Sequence, residues 1–347
     1  MKQPKKLAVL IPAALMAMAV AVAVFQPEST IAAQNTDTLT ALRVSTNVSS
    51  PFDAAWAKVP ELKTTLEPQA KDADMNTFYG VHYGAIPSVT LQAAYDDKTL
   101  WIRAVWPDDT MNARFADWAF DGTKWSQNKL RQDRISYAFP ITKNAQFSAL
   151  GCGAICHTAD SSAGDYMGYP VGGKDVVDIW QWKAAQTGPV GYADHQWIGA
   201  YVDDKGAKGP TNNASTGAVP TANKNKAGDA PAFMYKPDVA PIGPLTPDNS
   251  VAFDPAAKFD AGYVLPGYVV ARPAGSRGDV DASSVYTYDP AGHGFWYVVL
   301  SRPLNTGKPE DAVFTLGSSS TFGVAVFNNG DDKAHATKNK LTLALGK

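Results

Sequence analysis

Short apolar and aromatic runs bounded by turn residues recur along most of this chain, and sustained helical spacing does not. The clearest signal is a hairpin. Residues 89–95 lead into the turn Asp96-Asp97-Lys98, and residues 100–106 return, with large apolar and polar side chains alternating in part of that run. Another strand is predicted over residues 134–139, ended by Pro140. Within residues 178–184, Trp180 and Trp182 stand two apart and so share one face of a strand. Further strands are predicted over residues 262–271, 295–301, 312–316, 322–327 and 341–345, with a turn signal at residues 328–332. Trp56 is expected as a core anchor near the first strand. Residues 38–50 form a short polar lead-in without a strand assignment. Many strands with few helical patterns predict an all-β fold, an antiparallel β-sandwich with long loops.

Residues 203–250 change character. They are rich in Gly, Pro, Ala, Asn and Lys and lack sustained periodicity. They read as a loop-rich insertion that packs little against the core, inside a domain spanning residues 38–347.

The first 33 residues resemble an export signal. Lys2, Lys5 and Lys6 precede an apolar run over residues 7–25, and Ile31-Ala32-Ala33 offers a small-residue cleavage site before Gln34. The run is long for a signal, so an uncleaved membrane anchor is the alternative, and in either case the bulk of the chain lies in the periplasm. Membrane association is expected only if this segment is retained. A net charge of −2 gives no basic patch for nucleic acid. The 9 Trp and 14 Tyr suit a β-rich protein with broad flat contacts.

Only 2 cysteines occur, Cys152 and Cys156, and His157 follows directly. Two cysteines ending in Cys-His are the mark of covalent haem attachment, because each thiol adds to one vinyl group and the adjacent imidazole is held against the iron. Three residues separate these cysteines where the usual motif has two. A small Cys152–Cys156 disulfide is the competing reading. A tetrahedral zinc site would lack a fourth ligand. Bacterial c-type haem is attached on the far side of the membrane, which agrees with export.

In their order along the chain, several pieces resemble the haem-binding domain family that includes the cytochrome c-552-type proteins and the gamma subunit of ethylbenzene dehydrogenase. These are residues 90–106 with Asp108, Asp109 and Thr110, then Asp133 and Arg134 with the strand after them. Next come Cys152, Cys156 and His157, then Met167 and Gly168, residues 178–184, residues 296–303 and residues 324–327. The resemblance implies a β-sandwich with a single haem pocket that passes single electrons. The gamma subunits carry a non-covalent b haem on methionine and lysine; Cys152, Cys156 and His157 depart from that and point to one covalent haem c.

An electron carrier fills both axial positions. His157 is the first ligand, and His335 is expected as the second, in a loop between the last two strands, with Met167 as its rival. Lys183 and Lys338 rank lower because a lysine must lose its proton to bind iron. His293 reads as a solvated turn residue. The function expected is a periplasmic c-type cytochrome, free or docked on a redox partner such as a molybdenum enzyme or respiratory complex, without catalysis of its own. The alternative is a secreted carbohydrate- or ligand-binding module with Trp101, Trp180 and Trp182 as a stacking platform.

Overall fold

The computed structural model describes residues 37–68, 86–141, 145–151, 176–198, 210–329 and 335–347. The predicted hairpin forms β3 (Ser88–Tyr95) and β4 (Thr99–Pro107), preceded by β1 (Thr38–Arg43) and β2 (Leu62–Thr65). Then follow β5 (Arg134–Pro140), a short helix α1 (Ala145–Leu150), β6 (Val177–Lys183) and β7 (Tyr192–Ile198). The last strands are β8 (Val280–Tyr288), β9 (Gly294–Pro303), β10 (Ser319–Phe327) and β11 (Ala336–Leu345).

These strands make two facing sheets, β11-β10-β5-β6-β7 and β8-β9-β4-β3-β2. Their neighbours within each sheet are antiparallel, as expected for the sandwich. The sheets join at both edges. On one side β1 runs parallel to β11 with its first half and parallel to β3 with its second. On the other, β7 and β8 share only two paired positions, Tyr192 with Asp281 and Ala193 with Val280.

Strand alternation fills the space between the sheets. From one side come Ile135, Tyr137, Phe139, Trp180, Trp182, Phe322, Val324, Leu341 and Leu343, and from the other Leu91, Leu100, Ile102, Trp106, Trp296, Val298 and Leu300. Trp182 meets Trp106 and Trp296 edge-on, with ring centroids 6.2 and 5.0 Å apart. Each buried ring of this size removes about 200 Å² from water, worth roughly 5 kcal/mol before entropy is counted. Trp180 lies 5.0 Å from Phe139. Trp101 sits on the opposite face of β4 with Trp56, Val48 and Val59, which confirms Trp56 as an anchor. All three tryptophans of the expected stacking platform are buried, so they offer no surface for a sugar ring.

Several expectations differ from the structure. β1, β2, β7 and β8 were not predicted, because polar residues such as Asp194, His195, Ser283 and Ser284 interrupt their patterns. Residues 312–316 are not a strand. Phe314 plugs the core there while the backbone at Ala312 donates to Asp178. Residues 262–271 hold only two short strands, Val264–Leu265 and Tyr268–Val269, interrupted at Pro266 and Gly267. A Cβ on Gly267 would fall 2.1 Å from the Ala116 carbonyl, so the two segments approach closely only because that side chain is absent.

The described part of the insertion packs on the body of the protein, contrary to expectation. Tyr235 and Leu245 join Trp118, Leu265 and Val269 in a buried cluster. Asn223 is fully buried and acts as the knot. Its Oδ1 accepts from the Ala232 and Phe233 amides at 3.0 and 2.8 Å, and its Nδ2 donates to the Phe233 and Pro266 carbonyls at 3.1 and 2.9 Å. The Trp118 indole donates to the Asn223 carbonyl. Replacing Asn223 by Ala strands four backbone groups and should cost about 2–5 kcal/mol. Urea unfolding of the variant checks this; an unchanged midpoint would mean that the segment contributes nothing to the fold.

Candidate functional site

The outer face of the β11-β10-β5-β6-β7 sheet is dictated by the same alternation that fills the core. With Ile135, Tyr137 and Phe139 inward, Arg134, Ser136 and Ala138 of β5 face outward. Across the ladder, Gly323 pairs with Ala138, Ala325 with Ser136 and Phe327 with Arg134. The centre of the face is therefore a shallow floor of small residues, Gly323, Ala325, Ser136 and Ala138. The Ser136 hydroxyl is buried there with no hydrogen-bond partner among the described residues.

Larger groups rim this floor. On one side α1 packs Phe147 against Ala138, Val177, Ile179 and Ile198. The helix closes with the Gly151 amide donating to the Phe147 carbonyl at 2.8 Å, and Gly151 takes a left-handed conformation at φ +74°. A Cβ on Gly151 would lie 2.0 Å from the Asn339 carbonyl, and Lys340 Nζ donates to the Ala149 carbonyl at 3.1 Å. At the other end stands His335, the residue before β11. It is buried, with its ring centroid 4.8 Å from that of Phe327. Beyond Phe327 the Arg134 guanidinium lies 5.6 Å from that ring and 6.0 Å from the ring of Phe115.

Cys152, Cys156, His157 and Met167 lie outside the described residues, and so does His82. Of the lower-ranked ligands, Lys183 pairs with Asp194 at 2.7 Å and Lys338 with Asp37 at 3.1 Å. His293 is exposed, 3.6 Å from Asp109, as a solvated turn residue would be.

Two clusters of buried polar groups join residues that no local sequence signal links. In the first, Asp133 Oδ1 accepts from the Asn329 amide at 2.9 Å, and Oδ2 from the Asn112 amide at 2.7 Å and the Trp296 indole at 2.9 Å. Burial, with Asp108 nearby, pushes the Asp133 carboxyl well above the ordinary range. Burial also raises Asp108, to about 6. Asn329 begins the connection to His335, so Asp133 anchors that connection at its start.

The second cluster closes the thin seam between β7 and β8. His195 donates from Nε2 to Asp178 at 2.8 Å and from Nδ1 to Asp279 at 2.6 Å. Arg302 reaches Asp178 at 2.6 Å and stacks over Trp180 at 4.9 Å. Asp311 accepts from Asn213 at 3.1 Å and Thr306 at 2.6 Å, and Lys308 holds Asp279 at 2.7 Å. His195, Asp279 and Asp311 bring ligand atoms within 4.8 Å of one another, the spacing of a metal site. Arg302, 3.1 Å from His195 Nε2, already supplies the cation there. The cluster is a cross-sheet clamp.

Burial alone would lower the His195 pKa, but Asp178 and Asp279 outweigh it and raise it to about 9. Burial likewise opposes ionisation of Asp279, yet His195 and Lys308 hold its carboxyl below the usual range.

A family model described as ethylbenzene dehydrogenase matches residues 53–339 of this chain. No curated protein matches it. Among solved structures, the chain is similar to a protein from Bacteroides uniformis ATCC 8492 described as carbohydrate-binding. Identity is 8%, the match covers 89% of this chain and 98% of that one, and the TM-score is 0.34. It is also similar to a family 9 carbohydrate-binding module from Caldicellulosiruptor kristjanssonii in complex with cellotriose. There the identity is 10%, coverage is 89% and 93%, and the TM-score is 0.29.

The raised His195 pKa predicts a signed pH dependence. The stabilisation is complete below about pH 6.5 and is lost as pH rises through about 9, an effect on the order of 3 kcal/mol. The Asp279 contribution runs the other way and is lost in acid. Denaturant unfolding between pH 6 and 10 should show the alkaline loss, and His195→Gln should flatten it.

Proposed function

The chain belongs to the ethylbenzene dehydrogenase family, and from that premise we propose that it is an exported c-type cytochrome. In this reading it carries one covalent haem and passes single electrons, free in the periplasm or docked on a molybdenum-enzyme or other respiratory complex. Cys152 and Cys156 hold the haem by thioether bonds, and His157 and His335 ligate its iron. The protein performs no catalysis of its own.

One observation carries the proposal. Gly151, the residue before Cys152, is wedged against Asn339 of β11, and His335 precedes the first residue of that strand. Four residues of extended chain separate them, about 13 Å, which is the scale of a porphyrin. Both lie on the same outer face of the sheet, since His335 packs on outward-facing Phe327.

The residues present suit a flat group. Gly323, Ala325, Ser136 and Ala138 keep the floor low, and Phe147 and Phe327 add apolar side chains beside it. The buried Ser136 hydroxyl has a donor and an acceptor to offer. When bound, the haem supplies a one-electron couple whose potential its axial ligands and surroundings set. The chain's part is to hold and dry that group. Phe327 packs its ring, tilted, against the imidazole of His335 and limits its rotation. A neutral imidazole ligates without the deprotonation that a lysine needs, and Lys183 and Lys338 are in any case held by Asp194 and Asp37.

Intact mass of the purified protein should equal the mature chain plus one haem, and acid–acetone extraction should leave the haem attached. His335→Ala should turn the spectrum high-spin and open it to carbon monoxide, whereas Met167→Ala should leave it low-spin. A thioether-to-iron charge-transfer band lost in Met167→Ala would move the second ligand to Met167. A colourless protein from a haem-competent host would overturn the cytochrome reading.

A further inference from the structure

We infer that the cleft between the sandwich and the packed insertion binds a small organic carboxylate with an apolar body, anchored by Arg114. The cleft holds a cavity of about 440 Å³, the size of a small-molecule site. Neither Arg114 nor the cavity floor belongs to the proposed haem face, so the site stands whether or not the cytochrome reading holds.

The floor is apolar and preformed. Ala184, Leu245 and Val270 line it, none more than 5% exposed. The Val270 amide donates to the Leu245 carbonyl at 2.7 Å, which ties the insertion down and fixes the shape of the cavity before a ligand arrives. Three rings stand in the walls. Tyr268 and Phe115 lie 5.3 Å apart, and Tyr235 donates its hydroxyl to the Gly243 carbonyl at 2.6 Å, so its ring is what it offers the cavity. Pro189, Pro244 and Pro266 add stiff apolar surface. Ile242, between the lining residues Pro241 and Gly243, is 81% exposed, an apolar side chain standing open at the mouth.

A cavity of this kind orients its ligand through a few polar groups. Here the charged pair is Arg114 and Asp117. Asp117 is buried with both oxygens occupied: Oδ1 accepts from the Gly267 amide at 3.0 Å, and Oδ2 accepts from Arg114 Nε. Held at Nε, the exposed Arg114 keeps its two Nη groups without a hydrogen-bond partner among the described residues. Those groups lie in the fixed guanidinium plane, and a pair of them matches the two oxygens of a carboxylate. Behind Phe115 stands Arg131, its guanidinium 5.6 Å from that ring and its Nε buried without a hydrogen-bond partner. Two cations thus face one carboxylate, and the imbalance favours an anion. A small hydrated anion gains nothing from the apolar floor, which cannot replace its water. A carboxylate at the mouth with a hydrocarbon body beneath it satisfies both halves of the site.

The experiment titrates the purified full chain with phenylbutyrate and with its neutral amide, phenylbutyramide, by isothermal calorimetry. The wild type should bind the acid at one site and the amide about tenfold more weakly. Arg114→Gln should weaken the acid by about tenfold and erase its advantage over the amide. Ala185→Leu narrows the cavity, which Ala185 lines, without touching the ion pair, and should weaken both probes alike. Absence of binding at millimolar acid, equal affinity of the wild type for acid and amide, or an unchanged acid affinity in Arg114→Gln would overturn the assignment. Should Arg114→Gln fail to fold because Asp117 is left unpaired, Ala185→Leu and the acid–amide comparison on the wild type decide: unaltered binding in Ala185→Leu would place the probe elsewhere and overturn the site.

Discussion

Strand alternation across the aromatic core is the constraint on which the rest of the molecule depends. Ile135, Tyr137 and Phe139 must point between the sheets to meet Trp180, Phe314 and Phe322. That choice commits Arg134, Ser136 and Ala138 to the other side, because successive side chains of a strand point to opposite faces. A slip of one residue would bury a guanidinium among tryptophans and expose an isoleucine and two aromatic rings. The core therefore selects one register, and the register builds the outer face that carries the candidate site.

The sandwich is weakest where its two sheets meet with a two-position ladder, between β7 and β8. Burial of charge there is expensive unless each group is paired and hydrogen-bonded. His195, Asp178, Arg302, Asp279, Asp311 and Lys308 meet that condition together, each holding at least one partner of opposite charge. Their side chains come from β6, β7, β9 and two loops, so the clamp ties the elements that the ladder leaves loosely joined. Asn213, from the insertion, donates to Asp311 and extends the clamp to residues outside the sandwich proper.

The core is already full of side chains, so a site for a large flat group belongs on the outside of a sheet. That position suits the proposed role, since an electron carrier works by bringing its redox group near a partner. Asp133 contributes from the opposite direction: it receives three buried donors, one of them the Asn329 amide at the start of the connection to His335. Inner polar groups and outer face are thus coupled through one short stretch of β5, where Asp133 and Arg134 are adjacent in sequence but serve different surroundings.

How much of this was legible in the sequence depends on the range of the interaction. The hairpin β3–β4, the strands β5, β6, β9, β10 and β11, and the shared face of Trp180 and Trp182 follow from local periodicity. The sandwich class follows from their number. The two-cysteine motif and His335 stand out by residue chemistry alone. Tertiary structure was needed for everything that joins distant segments. Nothing local tells that Ser136 pairs with Ala325, that Gly151 rests on Asn339, or that Arg134 shares Phe327 with His335. His195 carries no local signal of its role; Asp178, Asp279 and Arg302 close around it only in the fold. Residues 203–250 looked like a loose insertion because anchors in their described part, Asn223, Tyr235 and Leu245, bury themselves singly against partners far along the chain. The physical reason is the same throughout: periodicity records which side of its own strand a residue faces, while contacts between segments depend on register and packing that form only when the whole sandwich closes.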